Sequence, residues 1–151
     1  MRKRLLTVCV LGAVGAGYAA TVLAQVKPDT LVRQRQSVMV LQGKYIGPLV
    51  GMMKGSVPYD AAIVTRNAAY LDVLSQMPWD GFAESTKGVK SYALPVIWAE
   101  PAKFKEAQDQ LRAAVGALNA AAKGGNEGTV KTAIGDTLKA CNNCHDNFRE
   151  K

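Results

Sequence analysis

Hydrophobic residues recur at a helical period along most of the chain after residue 25, and no segment alternates as a strand would. Four segments carry the pattern, at residues 28–54, 60–76, 101–123 and 129–149. Each has one apolar stripe that it cannot bury alone. Two short links and one long link join the segments, and the simplest arrangement is an antiparallel four-helix up-down-up-down bundle. The sequence therefore predicts an all-α fold.

The long link, residues 77–99, is the least regular part of this pattern. Prolines and glycines interrupt it, and a connection of this length in a compact domain is often functional. Its aromatic residues are Trp79, Phe82, Tyr92 and Trp98. They could lie over the edge of a cofactor, or they could simply close one end of the bundle.

The first 24 residues follow a different pattern. Arg2, Lys3 and Arg4 precede the uncharged residues 5–23, and short side chains at residues 22–24 suit a cleavage site. This pattern predicts a cleaved secretory signal peptide over residues 1–24, which would remove Cys9, and a single domain over residues 25–151. The alternative is an uncleaved membrane anchor, because an uncharged segment of this length can just span a bilayer.

Charge changes the picture only slightly. The chain has 19 Lys and Arg against 12 Asp and Glu, a formal net charge of +7. Removal of the predicted signal peptide leaves 16 basic and 12 acidic residues, a net charge of +4. The basic residues are scattered and form no stripe, which argues against nucleic-acid binding. A modestly positive surface would favour an acidic electron-transfer partner.

The candidate chemistry lies near the end of the last helical segment, in the motif Cys141-Asn142-Asn143-Cys144-His145. At positions i, i+3 and i+4 of a helix, the two thiols and the imidazole share one face. C-x-x-C-H is the attachment pattern of c-type haem: each thiol forms a thioether and the adjacent histidine reaches the iron. The sequence therefore predicts covalent haem c, with Cys141 and Cys144 as attachment residues and His145 as the proximal iron ligand.

Two other interpretations of the motif are a redox disulfide and half of a zinc site. Redox C-x-x-C motifs usually accompany a βαβ pattern, and none is visible here. Structural zinc takes four Cys or His ligands, but the chain has one histidine and, outside the motif, only Cys9. A complete zinc shell of this kind cannot come from one chain.

The residue on the opposite face of the iron is left open by the sequence. His145 is the only histidine, so bis-histidine ligation within one subunit is excluded. Met39, on the apolar stripe of the first segment, is the candidate sixth ligand; Met52, Met53 and Met77 are less well placed. Its thioether could bond to the iron and raise its potential, or it could pack against the haem without bonding.

Charged and polar residues near these positions could contact the haem. Arg35, one turn before Met39, could pair with a haem propionate, and Gln36 could donate to the same group. The alternative for both is a solvated helix face. Arg149, four residues after His145, could tune the iron electrostatically or simply stabilise the end of the helix.

Taken together, the chain resembles the cytochrome c′/cytochrome c-556 family of class II c-type cytochromes. The matching residues are Arg35-Gln36-Ser37-Val38-Met39, Lys54-Gly55 followed by Pro58-Tyr59-Asp60, Pro78-Trp79 with Phe82, Ile97-Trp98 with Phe104, and residues 141–149. The resemblance implies a periplasmic haem c protein, often a homodimer through its first helices. It also implies Arg35 and Gln36 near the propionates and Lys90 close to the haem edge.

Three functional hypotheses follow. The first is a periplasmic one-electron carrier with Met39 as iron ligand, to which the sequence is slightly closer. The second is a five-coordinate cytochrome c′-type protein that binds NO or CO, with Met39 shielding the iron. The third is an exported thiol/disulfide protein without haem. No second histidine or carboxylate pair converges with the motif, so we expect no enzymatic activity.

Overall fold

The computed structural model describes residues 26–151 of the chain. The predicted signal peptide, with Cys9 inside it, lies outside the described residues.

Five α-helices make up most of the described chain: α1 (Pro28–Met53), α2 (Ala61–Leu74), α3 (Val96–Ala99), α4 (Pro101–Gly124) and α5 (Glu127–Phe148). The four long helices coincide with the four predicted segments. Helix α1 packs against α2 and α5, and α4 packs against the same two helices. The prediction of an all-α four-helix bundle is confirmed. Between residues 26 and 151 there is no β-strand, only one isolated bridge between Ala93 and Arg149.

Local sequence signals explain where the helices begin and end. The Asp60 carboxylate accepts hydrogen bonds from the backbone N–H groups of Ala62 and Ile63, at 2.9 and 3.0 Å, and so caps α2. The Asn126 side chain accepts from the Thr129 N–H at 2.9 Å and caps α5. Gly125 ends α4 at a φ of 74°, a left-handed conformation that favours glycine.

The core lies between the four long helices. Its fully buried side chains include Leu49 of α1, Val64 of α2, Leu118 of α4 and Ile134 of α5, none more than 1% exposed. A second, smaller cluster of Ile97, Phe104, Ala107 and Phe148 lies where the α4 and α5 helices meet the long link. Burial of these apolar stripes supplies the main stabilisation of the bundle. Across residues 26–151, no helix is both long enough and apolar enough to cross a membrane.

The long link between α2 and α4 is more ordered than its sequence indicated. It contains two 3₁₀ turns, at Trp79–Phe82 and Glu84–Thr86, followed by the single turn of α3. Both 3₁₀ turns pack against α1. The end of the link is also tied to the end of α5: Leu94 N–H donates to the Phe148 carbonyl at 3.0 Å, and Glu150 N–H donates to the Tyr92 carbonyl at 2.8 Å. The link therefore walls the space between α1 and α5.

Candidate haem site

The C-x-x-C-H motif occupies the last two turns of α5 and faces two adjoining cavities. Cys144 and His145 line both cavities, and Cys141 lines the smaller. The larger has a volume of about 650 Å³ and the smaller about 190 Å³. The larger volume falls within the range of about 300–1,000 Å³ that is usual for cofactor and small-molecule sites. The predicted shared face of the two thiols and the imidazole is therefore present in the folded chain.

The walls of the larger cavity are mainly apolar and aromatic. Phe82, Phe104 and Phe148 form a chain of edge-to-face contacts, with ring centroids 4.9 and 5.2 Å apart. Trp79 lines both cavities and is fixed by a 2.7 Å hydrogen bond from its Nε1 to the Ser75 carbonyl. Such a set of flat side chains suits a flat, largely apolar ligand.

The aromatic residues of the long link divide between these walls and the bundle end. Trp79, Phe82 and Tyr92 line the larger cavity. Trp98 lines neither cavity and instead donates from Nε1 to the Phe82 carbonyl at 2.9 Å. Three of the four therefore lie where a cofactor edge would be, and the fourth supports one of them.

Met39 of α1 lines both cavities, as His145 of α5 does. A thioether and an imidazole thus reach the same space from two different helices. The other methionine candidates do not line either cavity: Met52 is buried in the bundle core, Met53 packs against that core, and Met77 is 55% exposed. Among these four methionines, Met39 alone is placed to meet a group held by His145.

Arg35 is buried, with 3% of its surface exposed, so the interpretation of a solvated helix face is wrong for this residue. Its Nη1 donates to the Gly81 carbonyl and, at 3.3 Å, to Thr86 Oγ1, and its Nη2 donates to Ser91 Oγ at 2.9 Å. The guanidinium also lies 4.3 Å from the centroid of the Phe82 ring. Burial lowers the pKa of Arg35.

No Asp or Glu pairs with Arg35 in the described part of the chain, and all its hydrogen-bond acceptors are neutral. A buried cation without a counterion is costly. Arg35 lines the larger cavity, as does Arg149, and no carboxylate does. This electrostatic arrangement suits an anionic group bound in the cavity.

Gln36 and Lys90, the other two residues expected near the haem, differ in their position relative to the larger cavity. Gln36 is exposed and, like Arg35, lines the larger cavity. Lys90 is exposed and lines neither cavity, whereas its neighbour Ser91 lines the larger one. Sequence reasoning missed Ser91 and Thr86, because a serine and a threonine in a long link carry no periodic or spacing signal.

The motif thiols differ from those of redox-active disulfide sites. Burial raises the pKa of Cys141 and raises the pKa of Cys144 to about 11, the second thiol also being disfavoured by the charge of the first. Thiol–disulfide enzymes instead lower the pKa of the attacking cysteine. Neither thiol therefore has the lowered pKa that the thiol/disulfide hypothesis requires.

The surroundings of His145 favour the neutral form of the imidazole, which is the form that binds metals. Desolvation by the surrounding protein lowers the pKa of its imidazole, Arg149 lowers it further, and Asp146 opposes them. A lowered pKa favours the neutral ring, whose unprotonated nitrogen can bind a metal. Within residues 26–151, no group of three or more His, Cys, Asp and Glu side chains could hold a metal ion. The donor set fits a haem iron better than a protein-ligated zinc.

These residues fit haem c on four separate points. Two thiols stand at attachment spacing, a neutral imidazole follows them, the adjacent cavity is apolar, and a buried arginine in its wall lacks an anion. Cys141 and Cys144 would hold the vinyl groups, His145 would hold the iron, and Arg35 would pair with a propionate.

Comparison with known proteins agrees with this chemistry. The sequence model of the family described as Cytochrome C′ matches residues 30–149. Cytochrome c′ of Rubrivivax gelatinosus is 39% identical over 126 residues, which cover 83% of this chain and 98% of that protein. Cytochrome c-556 of Rhodopseudomonas palustris is 37% identical over 151 residues, which cover 96% of this chain and 97% of that protein.

Solved structures agree as well. The crystal structure of cytochrome c′ from Rubrivivax gelatinosus superposes with a TM-score of 0.79 at 38% identity, over 82% of this chain and 98% of that one. A nitric oxide complex of a variant of cytochrome c prime from Alcaligenes xylosoxidans gives a TM-score of 0.77 at 36% identity, over 83% and 98% of the two chains. The family is one of c-type haem cytochromes that bind haem c covalently. With the fold, the attachment motif and the sequence match in agreement, this chain belongs to the cytochrome c′ family.

Proposed function

We propose that this protein is an exported electron carrier that holds one haem c, with His145 as proximal iron ligand and Met39 as sixth ligand. The observation that carries the proposal is that Met39 of α1 and His145 of α5 line the same two cavities. When bound, the haem supplies an iron centre that gains and loses one electron. A Met/His ligand pair favours the reduced iron and so raises the potential of such a centre.

The protein's own residues would keep the site rigid and dry. Trp79, Phe82 and Phe104 line the larger cavity with apolar aromatic rings, which would limit water beside a bound haem. Limited solvent access and fixed surroundings tune the potential of a metal centre. Trp79 is held by its bond to Ser75, so this wall is preorganised.

The proposal includes no enzymatic activity. The residues that line the two cavities include no Asp or Glu to work with His145 as general acid or base. It also places the protein in the periplasm, which the predicted signal peptide over residues 1–24 and the relatedness to cytochromes c′ support.

The proposed partners are an acidic redox protein and, through α1, a second copy of the chain. Val40 and Leu41 of α1 are 72% and 39% exposed, which gives that helix an apolar outer surface. A net charge of +4 over residues 25–151 favours an acidic partner. Sedimentation velocity of the holoprotein measures the oligomeric state, and a sedimentation coefficient of a monomer at high concentration would contradict the dimer.

Visible absorption spectroscopy of the matured holoprotein tests the ligand assignment. We expect a low-spin spectrum with a sharp reduced α-band, and loss of the low-spin character in Met39→Ala. The matched control is Met77→Ala, which removes an exposed methionine that lines neither cavity and should leave the spectrum unchanged. A Met39→Ala spectrum identical to that of the wild type would rule out iron ligation by Met39.

The second candidate function is the binding of NO or CO at a five-coordinate iron, with Met39 shielding the open position. Relatives solved with bound nitric oxide favour it. The same experiment separates the two functions. A broad high-spin spectrum that changes when CO or NO is added to the wild-type protein would support the gas-binding function and reject the six-coordinate carrier.

A further inference from the structure

Ser91 has an unused hydrogen-bond donor in the wall of the larger cavity. Its Oγ accepts from Arg35 Nη2 at 2.9 Å and from the Ala93 N–H at 3.4 Å. A serine hydroxyl has one proton to donate, and that proton has no acceptor among the residues the structure describes. Since Ser91 lines the cavity, this donor is available to a bound group.

Thr86 differs from Ser91 because its hydroxyl proton already has an acceptor within the protein. It is fully buried, and its hydroxyl faces two carbonyl acceptors, Ala83 at 2.7 Å and Gly81 at 3.3 Å, of which the shorter contact to Ala83 takes its single proton. With the proton committed there, the Oγ1 lone pair is left to accept from Arg35 Nη1 at 3.3 Å. Thr86 therefore fixes one side of the guanidinium and Ser91 fixes the other.

Arg35 keeps donors in reserve after these contacts. A guanidinium has five N–H groups, and the bonds to Gly81, Thr86 and Ser91 use only Nη1 and Nη2. Its Nε has no acceptor in residues 26–151. A carboxylate has two oxygens and about four lone pairs, so it can accept from an arginine and a hydroxyl at once.

We propose that Ser91 is a second donor to the haem propionate that pairs with Arg35, and that Thr86 is a positioning residue that holds the Arg35 guanidinium for that contact. The proposal rests on the proposed function, because it needs haem in the cavity. It assigns to Ser91 the role that the family resemblance implied for Lys90, which is exposed and lines neither cavity.

The proposal predicts a measurable change in the acidity of the propionate. Hydrogen bonds to a carboxylate favour its charged form and lower its pKa. Removing one should raise the proton affinity of the propionate about tenfold, a shift of about one pH unit. The charged or titratable side chains that line this cavity are Arg35, Tyr92, Cys144, His145 and Arg149, and no acidic residue lines it.

The experiment measures the midpoint potential of the holoprotein as a function of pH and extracts the pKa values that affect it. The variants are Ser91→Ala, Thr86→Val and Thr86→Ser. The matched control is Ser85→Ala, which removes an exposed hydroxyl from the same link. We expect Ser91→Ala and Thr86→Val to move the lowest redox-linked pKa upward, and Thr86→Ser and Ser85→Ala to leave it in place.

Two results would overturn the proposal. One is a redox-linked pKa in Ser91→Ala that matches that of Ser85→Ala. The other is an equal shift in Thr86→Val and Thr86→Ser, which would mean that the Thr86 hydroxyl has no part in positioning Arg35. Absence of haem from the wild-type protein would instead reject the proposed function, and the mass of the purified protein shows this before any potential is measured.

Discussion

Gly81 lies so close to Arg35 that a Cβ atom at position 81 would be 2.6 Å from the Arg35 Cβ and 2.9 Å from the Leu31 carbonyl oxygen. Only a residue without a side chain allows this 3₁₀ turn to approach α1 so closely. The Gly81 carbonyl also accepts a hydrogen bond from Arg35. The position of the link and the position of the guanidinium are therefore set by the same contact.

Substitution of Gly81 by alanine should separate the link from α1. We expect Gly81→Ala to lower the free energy of unfolding of the holoprotein by about 1–3 kcal/mol, because backbone atoms must move to accept the methyl group. Gly88→Ala is the control, since a Cβ there meets nothing within 4 Å. Urea unfolding followed by circular dichroism measures both variants, and equal midpoints would contradict the close packing.

If haem is attached through two thioethers, removal of one cysteine should have a smaller effect on haem attachment than removal of both. Cys141→Ser and Cys144→Ser should each retain one possible thioether, whereas the double variant should have none. Mass spectrometry of protein unfolded in acid should therefore find haem lost completely only from the double variant. Asn143→Ser, a change between the two cysteines at an exposed position, should retain covalent haem. Haem still covalently attached in the double variant would refute the assignment.

The N-cap of α5 should contribute measurably to stability. Asn126 accepts from the Thr129 N–H at 2.9 Å, and removal of such a cap costs about 1 kcal/mol. We expect Asn126→Ala to lower the free energy of unfolding by about that amount and Asn126→Ser to restore most of it. Thermal unfolding of the holoprotein compares them, and an alanine variant as stable as the serine variant would show that the cap is unimportant.

The core of the bundle should be sensitive to lost volume. Leu118 of α4 is fully buried, and Leu118→Ala should destabilise the protein by about 2–5 kcal/mol because it leaves a cavity between the helices. Val73 of α2 is 64% exposed, and Val73→Ala should change stability by no more than about 0.5 kcal/mol. Urea unfolding of the two variants should separate them clearly; comparable losses would mean that the bundle is packed differently.

The four-helix bundle could be predicted from the sequence because the apolar residues of each helix recur with a helical period. The apolar stripes and the spacing of Cys141 and Cys144 are local signals, and both appear in the folded chain. The ends of α4 are likewise local, with Pro101 in its first turn and Gly125 after its last residue. The prediction of Met39 used the same periodicity. Its place in both cavities agrees with that prediction, while its bond to the iron stays a prediction.

The rest of the site depends on contacts between distant segments, which periodicity does not report. Arg35 reaches Ser91 across 56 residues, and nothing local distinguishes its burial from that of a solvated arginine. Lys90 and Ser91 are neighbours in an irregular link, so a difference of one residue in register decides which of them is assigned to the cavity. Only the fold determines which of two neighbouring side chains faces the cavity.

Residues 92–94 of the long link are hydrogen-bonded to the end of α5, and this connection restricts how the walls of the cavity can move. Its two main-chain hydrogen bonds join the segment next to Ser91 with the helix turn that carries His145. The wall that holds Arg35 and the wall that holds His145 are thus tethered to each other. They cannot move apart at this end without breaking backbone hydrogen bonds, so a displacement of the helix turn that carries His145 would be passed through the main chain to the link beside Ser91.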